Sequence, residues 1–430
     1  MLSLNNLIIL QKIVQSMAGL ILSIMVIIFL SPSEQGYFYA MGSILNGYVL
    51  LDMGLSSLLL LKSAKFFSKL SWDNKNNIVN NGGKNKDETI FISFLSWVLS
   101  WYKVLSYLTF IILPIGFIYF HFSTDGSLVN WQLPWCILVL SYALCMPAIG
   151  FFSVMEGAKK ITQIYIYRCF IYLLSIILSI SMMLLGFGLF SHAAVPLSTI
   201  LVCIVIKNLY FKDLILRTKT TGIKFDWKTT ILPQQKKVSV NWISNFLFQH
   251  IPVPLVFFFL NPEIAGKFGI SMIFANISLA IAFTPITAIT PKFSSYAALN
   301  SSQALKIFTE HLYKSIFFAS IGIVAVYFLM QYAQEFSISQ RILNPFEILL
   351  LFISYGIFYL NTSFVNFFRA YDLEPFTLPI LLTIIFILIF GALLLHYDGL
   401  ASFIYAILFF MLALSVYSVS YFFRHLNKYE

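Results

Sequence analysis

Twelve stretches of this chain are apolar for long enough to cross a lipid bilayer, since a helix covers the hydrocarbon core with roughly 20 apolar residues. They run 7–30, 38–61, 100–120, 132–154, 162–187, 193–209, 238–260, 268–290, 311–331, 346–368, 376–395 and 400–422. The third can begin nearer Thr89, with 89–103 as an interfacial lead-in. Only 10% of the residues are charged, against about 25% in a soluble domain, which marks an integral membrane protein. The first run is long enough to span and lacks a small-residue cleavage site, so no cleavable signal peptide is expected. Cys136, Cys145, Cys169 and Cys203 all fall inside spans and read as small apolar fillers, not as disulfides or metal ligands.

A phrase at the end of the first run returns 230 residues later. Phe29-Leu30-x-Pro32-x3-Gly36-x-Phe38 recurs as Phe259-Leu260-x-Pro262-x3-Gly266-x-Phe268, and Asn46 and Lys62 recur as Asn276 and Lys292. Seven identities in 34 positions is a modest score in so biased a composition, but each copy joins one long apolar run to the next. An internal repeat on spanning helices points to a two-lobed transporter with its substrate site between the lobes.

The basic residues give the orientation. With the N-terminus in the cytoplasm, the loops 62–89, 155–161, 207–237, 291–310 and 369–375 and the tail 424–430 carry 21 of the 27 Lys and Arg. The outside loops carry Lys267 and Arg341 beside five acids, Glu34, Asp125, Glu263, Glu335 and Asp398. Both termini are therefore expected in the cytoplasm. The net charge of +10 is then mainly a topology signal and does not point to nucleic acid. Lys65, Lys69 and Trp72, beside Phe66 and Phe67, are expected to rest on anionic lipid. The run 73–88 reads as a solvated loop.

The dense basic stretch 207–237 divides six spans from six. The expected domains are an N-terminal lobe 1–209, a basic cytoplasmic linker 210–237, partly an amphipathic surface helix, and a C-terminal lobe 238–430. An even number of spans in each half makes both copies enter the membrane in the same direction. The fold class follows: an all-α membrane protein of 12 transmembrane helices, in two six-helix lobes related by a pseudo-two-fold along the membrane normal.

Pro114, Pro147, Pro196, Pro285 and Pro379 lie within or near the edges of spans, where each removes a backbone donor. Pro252 and Pro254 interrupt span seven directly after Gln249-His250, the best candidate for a functional break. Four cations lie within spans: Lys12, Lys103, Arg168 and Lys314. The only deep acid is Asp52, midway along span two. Such groups are costly in hydrocarbon and face a cavity or a partner. Lys103 and Lys314 can reach water by snorkelling. Arg168 sits about 10 Å inside if its helix starts near Ile161, and Gln15 shares a face with Lys12. A surplus of fixed cations suits an anion, phosphate above all. Lys12 and Arg168 are the candidate substrate-binding residues. Gln15, Asn46, Asp52, Lys103, Gln249, His250, Asn276 and Lys314 are candidates for lining the cavity or for coupling.

No phosphate-binding loop, Gly-rich dinucleotide turn, HExxH, Cys-x-x-Cys or nucleophile elbow occurs, so neither enzymatic chemistry nor a cofactor is expected.

Leu30-Ser31-Pro32-Ser33-Glu34-Gln35-Gly36-Tyr37-Phe38, followed by Leu51-Asp52-Met53-Gly54-Leu55, resembles the LGPExxGxY…LxDxGL pattern of bacterial polysaccharide flippases. Asn261-Pro262-Glu263-Ile264-Ala265-Gly266 and Glu156-Gly157-Ala158-Lys159 fit it too. These flippases belong to the multidrug/oligosaccharidyl-lipid/polysaccharide exporter superfamily, with the O-antigen flippases as the nearest members. The resemblance implies a V-shaped transporter of the bacterial inner membrane. It would move undecaprenyl-pyrophosphate-linked oligosaccharide, an O-antigen-type repeat unit of lipopolysaccharide, from the cytoplasmic to the periplasmic leaflet by alternating access. It also implies a cationic central cavity, here Lys12 and Arg168, and as partners membrane lipids, a polysaccharide polymerase and the chain-length machinery. The second half departs from the pattern, with Lys267-Phe268 after Gly266 and only His250 in span seven. Two rivals remain. A cation-coupled multidrug exporter of the same superfamily needs a deep acid in span one or seven. A membrane polysaccharide polymerase usually has a long outside loop bearing arginines.

Overall fold

The computed structural model describes residues 4–73, 76–80, 85–123, 129–220, 224–289, 293, 296, 303–371 and 373–425. The first part of the chain forms α1 (Leu4–Phe29), α2 (Pro32–Leu45), α3 (Tyr48–Asp52), α4 (Leu55–Phe66), a hairpin of β1 (Leu70–Trp72) and β2 (Ile78–Asn80), α5 (Asn85–Thr109) and α6 (Ile112–Ser123). It continues with α7 (Gln132–Met155), α8 (Ile161–Leu184), α9 (Ala194–Tyr210), α10 (Lys212–Thr220) and α11 (Trp227–Thr230). Then come α12 (Leu232–His250), α13 (Pro252–Phe259), α14 (Pro262–Ala282), α15 (Thr284–Ala288), α16 (Gln303–Ala333), α17 (Pro345–Arg369), α18 (Thr377–Tyr397) and α19 (Leu400–His425).

Among the described residues, ten helical stretches are long and apolar enough to span a membrane, and α2–α3 with α4 forms an eleventh, bent by 41°. One of the ten, Gln132–Leu184, has 53 residues, about 80 Å at 1.5 Å per residue and far more than one crossing. It is broken by a wide turn over Glu156–Lys160, where Ala158 (φ −79°, ψ 33°) and Lys159 (φ 64°) leave the helical region. Counting α7 and α8 separately gives twelve spans.

By contact, the chain divides into two units. Unit 1 comprises residues 1–31 and 44–243, and unit 2 comprises 32–43 and 244–430. Both crossings after residue 31 fall inside helices, within α2 and within α12.

In unit 1, α1 lies along α8, α5 along α7, and α4 against α7 and the wide turn. The core is aromatic: Phe67, Phe91, Phe94, Tyr102, Phe151 and Phe211 are fully enclosed. Lipid tails are as apolar as these rings, so close packing and hydrogen bonds hold spans together where the hydrophobic effect does not. The wide turn shows how. A Cβ on Gly157 would sit 2.2 Å from the Leu60 carbonyl oxygen, so only glycine lets α4 approach. Ser63 Oγ donates to Val154 O (2.6 Å), and Trp72 Nε1 donates to Ala158 O (2.6 Å).

That bond is a difference from the expected lipid contact. Trp72 stacks on Phe67, with centroids 4.8 Å apart, and is taken up by the turn. Nor is 73–88 an open loop throughout. Asp73 accepts bonds from the backbone and side chain of Asn77 (2.7 and 3.1 Å), closing the tight turn that pairs Leu70–Trp72 with Ile78–Asn80. In the basic stretch, α10 packs on α5, where Ser96 Oγ donates to Thr218 O (2.9 Å) and Arg217 pairs with Glu88.

In unit 2, α17 and α18 both pack against α19, and α14 and α16 pack against α17. Here the two copies of the repeated phrase meet. A Cβ on Gly36 would lie 1.9 Å from the Pro262 carbonyl oxygen, and one on Gly266 would lie 2.9 Å from the Gly36 nitrogen. Gln35 Nε2 donates to the carbonyls of Gly266 (3.0 Å) and Arg341 (3.1 Å). The repeated glycines are therefore the point at which α2 and α14 cross with backbones in contact.

Candidate functional site

One group of candidate residues in unit 1 stands on the packed helices α1 and α8. Lys12 and Gln15 lie one turn apart on α1 and are exposed, and Gln11 Nε2 donates to Gln15 Oε1 (3.0 Å). Arg168 sits two turns into α8. Its guanidinium donates to Glu156 Oε2 across the wide turn at 2.7 Å, with side-chain exposures of 29% and 10%. It also lies over the Tyr165 ring, 5.3 Å from its centroid. One turn further, Tyr172 joins Gln15, Ala18, Leu22, Met25 and Ser175 in lining a cavity of about 130 Å³ between α1 and α8. Lys12, Gln15 and Arg168 thus stand on two helices that pack together, and of the three Gln15 lines the groove between them.

Asp52 occupies a separate cluster in the same unit. It ends α3 and is buried. Tyr102 donates to its Oδ1 (2.5 Å), while the hydroxyl and backbone N–H of Ser56 donate to Oδ2 (2.9 and 3.3 Å). The Leu51-Asp52-Met53-Gly54-Leu55 motif is then a helix break. Met53 (φ 46°) and Gly54 (φ 74°) turn the chain left-handed, and Asp52 caps the first turn of α4. Gly54 cannot take a Cβ, which would fall 2.3 Å from the Trp242 ring. Lys103, one residue beyond Tyr102, is exposed. Asn46 is half-buried in the turn between α2 and α3, where its carbonyl accepts from Val49 N (2.9 Å).

Unit 2 groups its candidates differently. The chain breaks at Ile251, and Pro252 starts α13, so Gln249 and His250 end α12 as the prolines require. His250 is half-buried against Phe246, and Gln249 Oε1 accepts from Tyr355 OH at 3.4 Å. One turn along α17, Tyr359 OH donates to Asn276 Oδ1 at 2.7 Å. The helix α17 therefore links Gln249 and Asn276 into one strip of amides and tyrosines. Lys314 lies elsewhere, exposed on α16 and bonded to Glu310 at 2.6 Å. Lys292, the repeat mate of Lys62, lies outside the described residues.

Glu156, Tyr102, Tyr165, Tyr172, Tyr355 and Tyr359 complete these groupings and were not singled out from the sequence. Glu156 stood in a recognisable motif, but 23 tyrosines give no signal as to which are polar partners. No group of three or more His, Cys, Asp or Glu able to hold a metal occurs among the described residues.

No protein-family profile matches the sequence, and no curated protein does either. Solved structures do match. An inward-facing multidrug resistance MATE family transporter of the MOP superfamily aligns over 96% of this chain and 95% of its own, at 13% identity and a TM-score of 0.72. The lipid II flippase MurJ in an inward closed conformation aligns over 96% and 87%, at 13% identity and 0.64. A MOP superfamily transporter from Pyrococcus furiosus, described as having a binding pocket of reversed polarity, aligns over 99% and 95%, at 17% identity and 0.55. The chain thus has the fold of the MOP superfamily transporters.

Proposed function

We propose that this chain is a flippase that carries undecaprenyl-pyrophosphate-linked oligosaccharide from the cytoplasmic to the periplasmic leaflet of a bacterial inner membrane by alternating access. The observation that carries the reading is Arg168, a guanidinium within the spanning helix α8, one turn before Tyr172 of the α1–α8 groove, with Lys12 on the packed helix α1. Planar guanidinium donors match phosphate oxygens, so Arg168 takes the pyrophosphate and Lys12 adds charge. The lipid tail stays in the bilayer. The strip of Gln249, Asn276, Tyr355 and Tyr359 in unit 2 offers the amide and phenol groups that hydroxyl-rich ligands use. Both termini are cytoplasmic in this reading. A headgroup of charge −2 moving outward from a negative interior gains about 4.6 kcal/mol per 100 mV.

A second reading, a cation-coupled multidrug exporter, would have to use Asp52, a buried carboxylate of span two, not of span one or seven, that accepts hydrogen bonds from Tyr102 and Ser56. One experiment separates the two. On deletion of the gene, completed lipid-linked repeat units accumulate in the inner leaflet, protected from a periplasmic glycosidase that cannot cross the membrane. Unchanged surface polysaccharide with sensitivity to cationic compounds selects the exporter. Single repeats exposed on the periplasmic face select a polymerase.

A further inference from the structure

A cation within a spanning helix, with 29% of its side chain exposed, has a problem that the proposed substrate does not explain. Anionic phospholipids, each with a singly charged phosphodiester, vastly outnumber any carrier-linked pyrophosphate and would occupy it. In this structure the place is already taken. Glu156 Oε2 holds the Arg168 guanidinium at 2.7 Å, and the carboxylate side chain is only 10% exposed. We infer that Glu156 is a specificity-determining residue, an internal competitor that keeps singly charged phosphodiester lipids off Arg168 and yields only to a more highly charged phosphoanion. This rests on the reading of Arg168 as the pyrophosphate contact.

Three features support it. First, Glu156 cannot drift away. Its turn is pinned because Gly157 has no room for a Cβ beside Leu60 O, Trp72 Nε1 bonds Ala158 O, and Lys159 Nζ donates to Leu70 O at 3.0 Å. The carboxylate is therefore presented at the high effective concentration of a tethered ligand. Second, a monoanion gains nothing by exchange. It would replace one charge-assisted bond with another and leave the mostly buried Glu156 carboxylate without its counter-charge, which is costly. Third, a pyrophosphate carries extra charge and extra acceptor oxygens, and Lys12 on the packed helix α1 supplies a further cation to meet them. Rejection built from an opposed charge is a recognised route to selectivity.

The test uses the full-length protein in neutral phosphatidylcholine nanodiscs, a fluorescent polyprenyl pyrophosphate as probe and phosphatidylglycerol as competitor. In the wild type, phosphatidylglycerol in large excess leaves probe binding unchanged. In Glu156→Gln it displaces the probe at a concentration lower by about tenfold or more. Glu156→Asp, which keeps the charge at shorter reach, falls between and serves if the glutamine variant does not fold. The competition ratio is a readout that simple destabilisation does not move. Probe binding with identical competition in wild type and both variants overturns this inference alone. Failure of the wild type to bind the pyrophosphate at all overturns it together with the reading of Arg168.

Discussion

The two copies of the repeated phrase share a backbone and differ in chemistry. In the first copy the helix that starts at Pro32 is finally broken between Asp52 and Leu55, and in the second the helix from Pro262 is broken between Ala282 and Thr284, at the same distance from its proline. The first break is made by left-handed Met53 and Gly54 and a capping carboxylate, the second by Phe283 at φ −87° with Pro285 in the first turn of the next helix. The position of the break thus belongs to the architecture, and several residue sets can make it. Freed from that duty, the polar side chains diverge. Unit 1 matches its charges inside the fold: Arg168 with Glu156, and Asp52 with Tyr102 and Ser56. Unit 2 groups amides and tyrosines, and its ion pairs Lys314–Glu310 and Arg369–Glu374 are exposed. On the proposed reading, ionic work falls to unit 1.

The largest effect should come from breaking that assignment. Arg168→Ala is expected to reduce surface polysaccharide about 100-fold, matching the roughly 3 kcal/mol of a charge-assisted bond. Protein level should be unchanged, and adding Glu156→Gln, which removes the orphaned carboxylate, should not restore transport. Arg168→Lys should recover part of it, because an ammonium lacks the planar fork. Lys314→Ala, which removes an exposed pair worth at most about 0.5 kcal/mol, should be silent. Equal losses at Arg168 and Lys314, measured as polysaccharide per unit of membrane-inserted protein, would erase the contrast between the units.

Much of this was legible in the sequence, and the gaps have physical causes. Span number follows from hydrocarbon thickness, so apolar run length sufficed. The break after His250 was legible because Pro252 lacks an N–H. Arg168 stood out because a guanidinium in a span must be matched. Its partner did not stand out, since Glu156 lies twelve residues earlier and comes within reach only through a turn with Lys159 at φ 64°. No helical period links them. The hairpin at 70–80 was hidden because polar Asn and Lys read as loop, whereas Asp73 uses its side chain to close the turn.

Next in size is the glycine crossing. At Gly36 an added methyl would meet a carbonyl oxygen at 1.9 Å, whereas at Gly266 the nearest atom is a backbone nitrogen at 2.9 Å. Gly36→Ala should cost about 3 kcal/mol and Gly266→Ala about 1, within the range for overpacked sites. Thermal unfolding of the purified variants checks the order. A reversed order would show that the two copies do not approach as described.

The capped break of unit 1 gives an intermediate effect. Tyr102→Phe removes a donor to a buried carboxylate while keeping the ring that packs against Gly150, so the expected loss is about 2 kcal/mol. A lowered unfolding temperature with transport largely intact fits a structural cap. Transport abolished in a variant of normal stability would instead make the Asp52 cluster part of the working chemistry, and would favour the ion-coupled reading.

The smallest effect tests unit 2. Tyr359→Phe deletes the hydroxyl that donates to Asn276 Oδ1 at 2.7 Å but leaves the ring, which stacks on Phe283 with centroids 5.5 Å apart. A neutral hydrogen bond of this kind contributes about 1 kcal/mol net, and the stranded amide adds little because Asn276 is only partly buried. Stability should fall by about that amount and transport by no more than about fivefold, since a factor of ten corresponds to about 1.4 kcal/mol. The measurement is the same polysaccharide assay, run beside Tyr355→Phe, whose bond to Gln249 is longer at 3.4 Å and whose loss should matter less. If Tyr359→Phe at normal protein level silenced transport as fully as Arg168→Ala, the amide and tyrosine strip would be gripping substrate as hard as the guanidinium does. The division of labour between a charged unit and a neutral one would then be wrong, and the two units would be chemically different but functionally equal.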